Sequence, residues 1–112
     1  MAHLLRAADR PVTKSRTIRF EGDAYGTGIS FFSVDNDPGQ GPVLHTHPYP
    51  ETWIVKSGRA LFVAGDEQFE AGANDIAVVP AGVPHKFTNI GDGRLELVCI
   101  HAAGTMEQTN LE

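Results

Sequence analysis

Short apolar runs rich in Val, Ile, Phe and Thr recur along the chain, and turn residues separate each run from the next. These residue types favour the pleated surface of a β-strand. Beyond residue 10, glycine or proline interrupts every window of helical length, which excludes long helices. We therefore predict eight strands, at Thr27–Val34, Val43–His47, Thr52–Lys56, Ala60–Ala64, Glu67–Glu70, Ile76–Val79, His85–Ile90 and Arg94–His101.

The segments between these runs carry specific turn signals. Ser57-Gly58 and Ala64-Gly65-Asp66 are typical of hairpins. Pro80-Ala81-Gly82 and Gly91-Asp92-Gly93 are typical of other tight turns. Short strands with a turn signal every ~8–12 residues indicate an all-β sandwich or barrel, and a closed or two-sheet form also protects the strand edges.

The chain has 112 residues, which is enough for one domain and too few for two. We predict an N-terminal leader over residues 1–16, a barrel over residues 17–104 and a C-terminal tail over residues 105–112. A short helix over residues 1–10, ended by Pro11, fits the leader. Hydrophobic residues make up 41% of the chain, which excludes a disordered protein.

Charge is distributed unevenly along the chain. The formal net charge is −5, although the first 20 residues contain five basic residues and one acidic residue. An acidic body excludes nucleic acid as the main partner, because phosphate binding needs a basic surface. We interpret the basic leader as a solvated terminal segment rather than an electrostatic arm.

Cys99 is the one cysteine, so no intrachain disulfide can form. A chain without disulfides is typical of a reducing compartment. The sequence has no apolar run long enough for a signal peptide and none near the ~20 residues of a membrane span. We therefore predict a cytoplasmic protein without membrane contact.

Histidines supply the candidate chemistry. His45 and His47 are two residues apart, so on a strand they share a face, with Cα atoms ~6.6 Å apart. Two such imidazoles can reach one ion at ~2.1 Å. The bend at Pro48-Tyr49-Pro50 would bring Glu51 back towards them, and His85 would add a third imidazole if its strand lies alongside. A lone strand histidine is usually structural, however, and an HxH pair alone indicates a metal only weakly.

The surrounding spacing strengthens the metal hypothesis. From Gly39 to Gly58 the chain reads glycine, five residues, HxH, three residues, glutamate, six residues, glycine. From Pro80 to Asn89 it reads PxG, two residues, histidine, three residues, asparagine. These stretches resemble the two conserved motifs of the cupins. One position departs from the second motif, because Asn74 stands where that motif usually begins with glycine; asparagine tolerates the left-handed conformation that glycine would supply.

The resemblance implies a single-domain cupin with a jelly-roll barrel, a double-stranded β-helix. It also implies that His45, His47, Glu51 and His85 are metal ligands. Three imidazoles and one carboxylate suit a divalent transition metal such as Fe, Mn, Ni, Cu or Zn. The resemblance assigns no substrate, since cupins include dioxygenases, isomerases, decarboxylases, sugar binders and seed storage proteins.

One further histidine is a candidate for catalysis. If Glu96 faces solvent, then Leu97, Cys99 and His101 face inwards on the last strand. His101 is then a candidate acid or base in the pocket, and Cys99 an inert buried thiol. We predict that Glu51 also acts catalytically, as a ligand that shifts to become a base.

Four aromatic residues are candidates for the substrate pocket: Tyr49, Trp53, Phe62 and Phe87. A core position is the alternative for Trp53, Phe62 and Phe87, and an ordinary loop position is the alternative for Tyr49. Ile54 points away from Glu51, which places an apolar residue on the barrel exterior and favours a homodimer.

Together these features predict a metal-dependent enzyme that acts on a small organic molecule. Oxygen-dependent oxidation by a dioxygenase-like oxidoreductase is the first reaction type, and an isomerase is another. The alternative is a non-catalytic module that binds a sugar or small acid at the same site. A relic with an empty site is the third hypothesis, but nothing in a barrel core demands this set of three histidines and one glutamate.

Overall fold

A computed structural model describes residues 2–10 and 15–112 of the chain. Within these residues the regular structure consists of two short 3-10 helices, Ala7–Asp9 and Gly22–Tyr25, and ten strands. The strands are β1 Ile18–Glu21, β2 Ser30–Asn36, β3 His45–Thr46, β4 Glu51–Ser57, β5 Arg59–Ala64, β6 Glu67–Gly72, β7 Ile76–Val79, β8 His85–Asn89, β9 Leu95–His101 and β10 Thr109–Asn110. The predicted all-β class is confirmed.

The strands form two five-stranded antiparallel sheets. The first sheet has the order β1-β2-β9-β4-β7 and the second the order β10-β3-β8-β5-β6. Most neighbouring strands are far apart in sequence, the exceptions being the β1–β2 and β5–β6 pairs, and consecutive strands such as β3 and β4 lie in different sheets. This alternation between two facing sheets is the arrangement of a jelly roll, so the predicted jelly-roll barrel is also confirmed.

The core lies between the inner faces of the two sheets. Its largest fully buried apolar side chains are Trp53, Phe62, Leu95 and Leu97. The alternation predicted by strand geometry is visible on β4, where Glu51, Trp53 and Val55 are buried and the residues between them are half-buried. Each buried side chain of this size stabilises the fold by ~1.5–3 kcal/mol relative to an exposed position.

All eight predicted strands are present, seven of them with shifted ends and β7 with its predicted ends, and two strands were missed. The missed strands are β1 and β10, a four-residue and a two-residue strand at the edges of their sheets. The predicted helix over residues 1–10 is wrong over residues 2–10, where only Ala7–Asp9 is helical; a helix this short is unstable without packing. Met1 and Pro11, the predicted helix stop, lie outside the described residues.

Two turn positions require unusual backbone conformations. Asn74 has φ of 72°, so the left-handed conformation predicted for it is present. Gly58 has φ of 88°, and a Cβ atom there would collide with the carbonyl of Arg94. The glycine that ends the first motif is therefore required both by its dihedral angle and by the close approach of the neighbouring strand.

The outward side of the first sheet is largely apolar. Cross-strand pairing aligns its residues in two rows, which we call the outer apolar face: Ile76, Ile54, Val98, Ser33 and Ile18 in one row, and Val78, Thr52, Ile100, Phe31 and Phe20 in the other. Leu5 and Arg10 of the leader border the Phe20 end. At the opposite end Ile76 and Val78 are 67% and 63% exposed.

None of the helices within residues 2–10 and 15–112 has the length and apolar character that crossing a bilayer requires.

Candidate metal centre

Four side chains from three strands and one loop converge inside the barrel. His45 on β3 is the cross-strand partner of His85 on β8, His47 follows β3, and Glu51 begins β4 in the opposite sheet. One ligand atom from each lies within 4.8 Å of the others. All four residues are buried, with exposed fractions between 2% and 5%. The structure therefore brings together the ligand set that the two motifs imply.

Backbone carbonyls orient the three imidazoles. The Nδ1–H of His45 donates to the Val43 carbonyl at 2.6 Å, and that of His85 donates to the Val83 carbonyl at 2.8 Å. His47 Nδ1–H donates to the carbonyl of Glu107 at 2.7 Å. A neutral imidazole that is protonated at Nδ1 carries a lone pair at Nε2. Each ring therefore presents a metal-binding nitrogen to the cluster, with the hydrogen bond to its other nitrogen that ligating histidines usually make.

In their neutral forms, protonated at Nδ1, His47 and His85 turn their Nε2 atoms towards the carboxylate. Glu51 Oε1 lies 3.0 Å from Nε2 of His47 and 3.3 Å from Nε2 of His85. His47 Nε2 is fully buried, and its orientation towards Glu51 is not that of a hydrogen bond. Lone pairs that converge in a buried space repel each other unless a cation lies between them. The arrangement therefore fits a divalent metal ion bound by these four side chains.

His101 also reaches the cluster, but in the opposite tautomer. The hydroxyl of Tyr49 accepts from the Glu107 N–H at 3.2 Å and lies 2.7 Å from His101 Nδ1 and 3.3 Å from the Glu107 carbonyl oxygen. We assign its one proton to the shorter contact, with His101 Nδ1 as the acceptor. The proton of His101 then resides on Nε2, which lies 3.4 Å from Glu51 Oε1. This histidine presents an N–H donor to the carboxylate, whereas the three ligand candidates present lone pairs.

The environment sets the charge of the cluster. Burial raises the pKa of Glu51, but contacts with His47 and His85 outweigh it and bring the pKa down to about 2. Burial lowers the pKa of His101 to about 4 and also lowers that of His45. The carboxylate is therefore ionised and these two imidazoles neutral at pH 7, which are the forms that bind metal ions.

His47 behaves differently from the other histidines. Burial lowers its pKa, but its contact with Glu51 and its hydrogen bond to a backbone carbonyl raise the pKa above the ordinary value. A cation therefore competes with a proton for Nε2 of His47. An incoming cation has to displace that proton, so metal affinity falls as the pH is lowered.

A cavity of about 470 Å³ adjoins the cluster, within the size range of small-molecule sites. His45, His47, Glu51 and His101 form one part of its wall, and Phe87 forms another. The remaining lining residues are Thr17, Phe32, Val34, Asn36, Gly39, Gln40, Gly41, Pro42 and Gln108. A ligand in this cavity can therefore contact both the cluster and an apolar wall.

The predicted pocket aromatics occupy different places. Phe87 lines the cavity. Trp53 and Phe62 lie in the hydrophobic core, stacked with ring centroids 4.4 Å apart. Tyr49 is buried beside His101 and does not line the cavity. Of the four candidates, Phe87 alone borders the space next to the cluster.

Sequence reasoning missed three lining residues on β2: Phe32, Val34 and Asn36. Strand alternation places these positions on one face, so the pattern could have identified Phe32 and Val34. Asn36 lies beyond the predicted end of that strand. Gln40 and Gln108 carry no local signal, because they reach the cavity from a loop and from the C-terminal segment.

The C-terminal segment, residues 105–112, forms part of the site. Strand β10 pairs with β3, so Thr109 and Asn110 lie opposite Thr46 and His45. Just before this strand, Gln108 forms part of the cavity wall. The backbone of Glu107 accepts a hydrogen bond from His47 and donates one to the Tyr49 hydroxyl. The segment predicted as a C-terminal tail therefore holds the rings of His47 and Tyr49 in place.

Comparison with curated proteins finds partial matches. An uncharacterized protein of Methanocaldococcus jannaschii, MJ1618, is 34% identical over 62 residues, which is 54% of this chain and 50% of that protein. The xanthan biosynthesis protein XanB of Xanthomonas campestris pv. campestris is 32% identical over 65 residues, which is 58% of this chain and 14% of that protein. The chain thus matches half or less of the length of these relatives.

Comparison with solved structures finds similar folds. Bacillus subtilis oxalate decarboxylase superposes with a TM-score of 0.79 at 24% identity, covering 85% of this chain and 27% of that chain. Lactobacillus farciminis oxalate decarboxylase superposes with a TM-score of 0.78 at 23% identity, covering 91% of this chain and 32% of that chain. These likenesses establish a shared fold.

The family model described as "Cupin domain" matches residues 32–101. This range contains both motifs and all four residues of the cluster. It also extends over strands of both sheets, from β2 to β9. The chain therefore belongs to the cupin domain family.

Proposed function

We propose that the protein binds one divalent transition metal ion through His45, His47, Glu51 and His85, and that it uses the ion to oxidise a small organic molecule with dioxygen. The observation that carries the proposal is the set of three imidazole lone pairs and one carboxylate that converge beside an accessible cavity. When bound, such an ion acts as a Lewis acid and as a template for substrate and oxygen.

The ligand types favour an open site over a structural one. Structural zinc sites are usually tetrahedral and rich in thiolates, but Cys99 is the one thiol and is not part of the cluster. Four donors would leave positions free on an ion that prefers six ligands. His45, His47 and Glu51 border the cavity, so a molecule there would lie next to the proposed ligands.

Two residues are suited to moving protons at the site. Glu51 is the proposed base, because its carboxylate is ionised and borders the cavity. His101 carries its proton on Nε2, next to Glu51 Oε1, and Tyr49 holds it in that tautomer. His101 can therefore donate a hydrogen bond to Glu51 or to an oxygen atom of a bound molecule.

Iron is the proposed ion for oxygen chemistry, and manganese is the second candidate. One similar structure is that of an oxalate decarboxylase with Mn(II) centres. Affinity alone does not choose between these metals, because histidine and carboxylate donors accept several divalent ions. We also propose a cytoplasmic location, which suits a chain whose single thiol is buried and unpaired.

Oxygen consumption tests the proposed reaction. Iron(II)-loaded protein should consume oxygen with at least one member of a panel of phenolics, 1,3-diketones and thiol acids. Glu51→Gln should lower the rate by about 100-fold or more, because it removes both a ligand and a base. His3 lies outside the site, so the His3→Ala protein should retain the full rate of oxygen consumption. If loaded protein binds panel members but consumes no oxygen, the enzyme proposal is wrong and the binding-module alternative replaces it.

We also propose that the protein is a homodimer that pairs through the outer apolar face. Eight of the ten residues in its two rows are apolar, and the most exposed members are Ile76 and Val78 at the β7 edge. Exposed apolar patches of this kind mark interaction surfaces in soluble proteins. A second copy is the proposed occupant, since a two-fold pairing buries the same patch on both partners.

Sedimentation tests the dimer. At micromolar concentration the protein should have a mass of two 12.1 kDa chains. Ile76→Lys places a charge in the proposed interface and should give the mass of one chain. The matched control is Ile90→Lys, at an exposed residue in the loop after β8, which should leave the dimer intact. A wild-type mass near one chain contradicts the dimer.

A further inference from the structure

The composition of the cavity wall points to a substrate class. We infer that the site selects singly charged oxygen chelators with an apolar body, such as the enolates of substituted 1,3-dicarbonyl compounds, and discriminates against dicarboxylates such as oxalate. This inference rests on the proposed metal site and concerns the part of the substrate that extends away from the ion.

The described lining of the cavity contains no arginine or lysine. Its titratable residues are His45, His47, His101 and Glu51, and every other lining side chain is uncharged. A dicarboxylate needs a cationic partner for each charge that the ion does not neutralise, because a buried unpaired carboxylate is destabilised. Within the described residues, the wall offers no such partner beyond the ion.

The charge of the loaded site favours a single negative charge. A divalent ion with one carboxylate and three neutral imidazoles has a net charge of about +1. A monoanion therefore neutralises the site, whereas a dianion leaves an excess negative charge in a buried environment.

The acidic protein adds a weaker effect in the same direction. The chain carries a formal net charge of −5. A negative surface slows the approach of dianions more than that of monoanions or neutral molecules. A 1,3-diketone enters in its neutral form and loses one proton to solvent as it binds, so it avoids this repulsion.

The shape of the cavity wall explains why the inferred substrate has an apolar body beyond its chelating oxygens. Strand β2 runs along the cavity and presents Phe32, Val34 and Asn36 in that order. Phe32 lies against His101, with ring centroids 5.6 Å apart. Asn36 lies four residues further along the strand, about 13 Å away at the usual rise. The cavity thus passes from the metal cluster over an apolar stretch to a rim with the Asn36 and Gln40 side chains.

Ligand binding to cobalt-substituted protein tests the inference. The probes are acetylacetone, 1-phenylbutane-1,3-dione, oxalate and malonate. The binding of each is measured at pH 7.5 from changes in the visible spectrum and by calorimetry. Each affinity is divided by the affinity of the same probe for aqueous Co²⁺. On this scale the diketones should bind at least about tenfold more tightly than the dicarboxylates, and the phenyl group should add about another tenfold.

Matched variants locate the apolar contact. Phe32→Ala should abolish the gain from the phenyl group, so that the two diketones bind with similar normalised affinity. Phe20→Ala, on the outer apolar face, should retain the gain. Cobalt content and thermal unfolding, measured first, show whether each variant is folded and loaded.

Three results would overturn the inference. Normalised oxalate affinity equal to or above that of the diketones contradicts the charge argument, and a phenyl gain that survives Phe32→Ala contradicts the assigned wall. Absence of stoichiometric cobalt in the wild type instead refutes the metal site itself, and the inference falls with it.

Discussion

Replacing His47 by alanine is expected to remove most of the bound metal. The wild-type protein should retain about one divalent ion per chain after dialysis. His47→Ala deletes one of four ligands, and because even partners outside the coordination sphere contribute 10–100-fold in affinity, the loss should be at least ~100-fold. Elemental analysis of dialysed protein measures the ion directly.

The control for this experiment is His3→Ala. His3 contacts Tyr25 with ring centroids 5.3 Å apart and is not in the cluster, so metal content should not change. Chelation should also remove the ion from the wild type without unfolding it, because the apolar core does not include the ligands. Equal metal retention by His47→Ala and His3→Ala would refute the site.

Replacing Trp53 by alanine is expected to destabilise the fold by ~3–5 kcal/mol. Trp53 is 0% exposed and stacks on Phe62 at 4.4 Å. Its ring also packs edge-on against Phe87 and His85. The substitution therefore opens a cavity at the junction of the core and the metal cluster, and urea unfolding of the metal-free protein measures the loss.

Trp53→Phe separates packing from polarity. The indole Nε1 of Trp53 is buried and has no hydrogen-bond partner among residues 2–10 and 15–112. Phenylalanine therefore loses no such hydrogen bond and leaves a smaller void than alanine. It should destabilise the fold by about 1–2 kcal/mol, well below the effect of alanine. A Trp53→Ala protein within ~1 kcal/mol of the wild type would contradict the core assignment.

Motif spacing predicted the ligand cluster because the four residues lie in local segments whose geometry is constrained. His45 lies on β3 with His47 directly after it, and His85 follows a rigid turn. Strand β7, Ile76–Val79, was predicted with its observed ends because Asn74 and Pro80 bound a short β-branched run. In such segments, short-range sequence and tertiary structure favour the same conformation.

Other parts of the site could not be predicted, because they depend on contacts between distant segments. Nothing local to β10 indicates a strand, and it is ordered by pairing with β3. The positions of Trp53 and Phe62 in the core, rather than at the cavity, depend on which sheet faces pack together. Alternation predicts the inward direction of a side chain but not its depth within the barrel.

The three ligand histidines differ in how far along the chain their carbonyl partners lie. His45 and His85 are each held by a carbonyl two residues earlier, whereas the partner of His47 is 60 residues later, at Glu107. During synthesis, the first two rings can therefore be oriented as soon as their own strands form. The third must wait until residue 107 has left the ribosome. A nascent chain thus acquires its complete metal site only after strands β1 to β9 have all been synthesised.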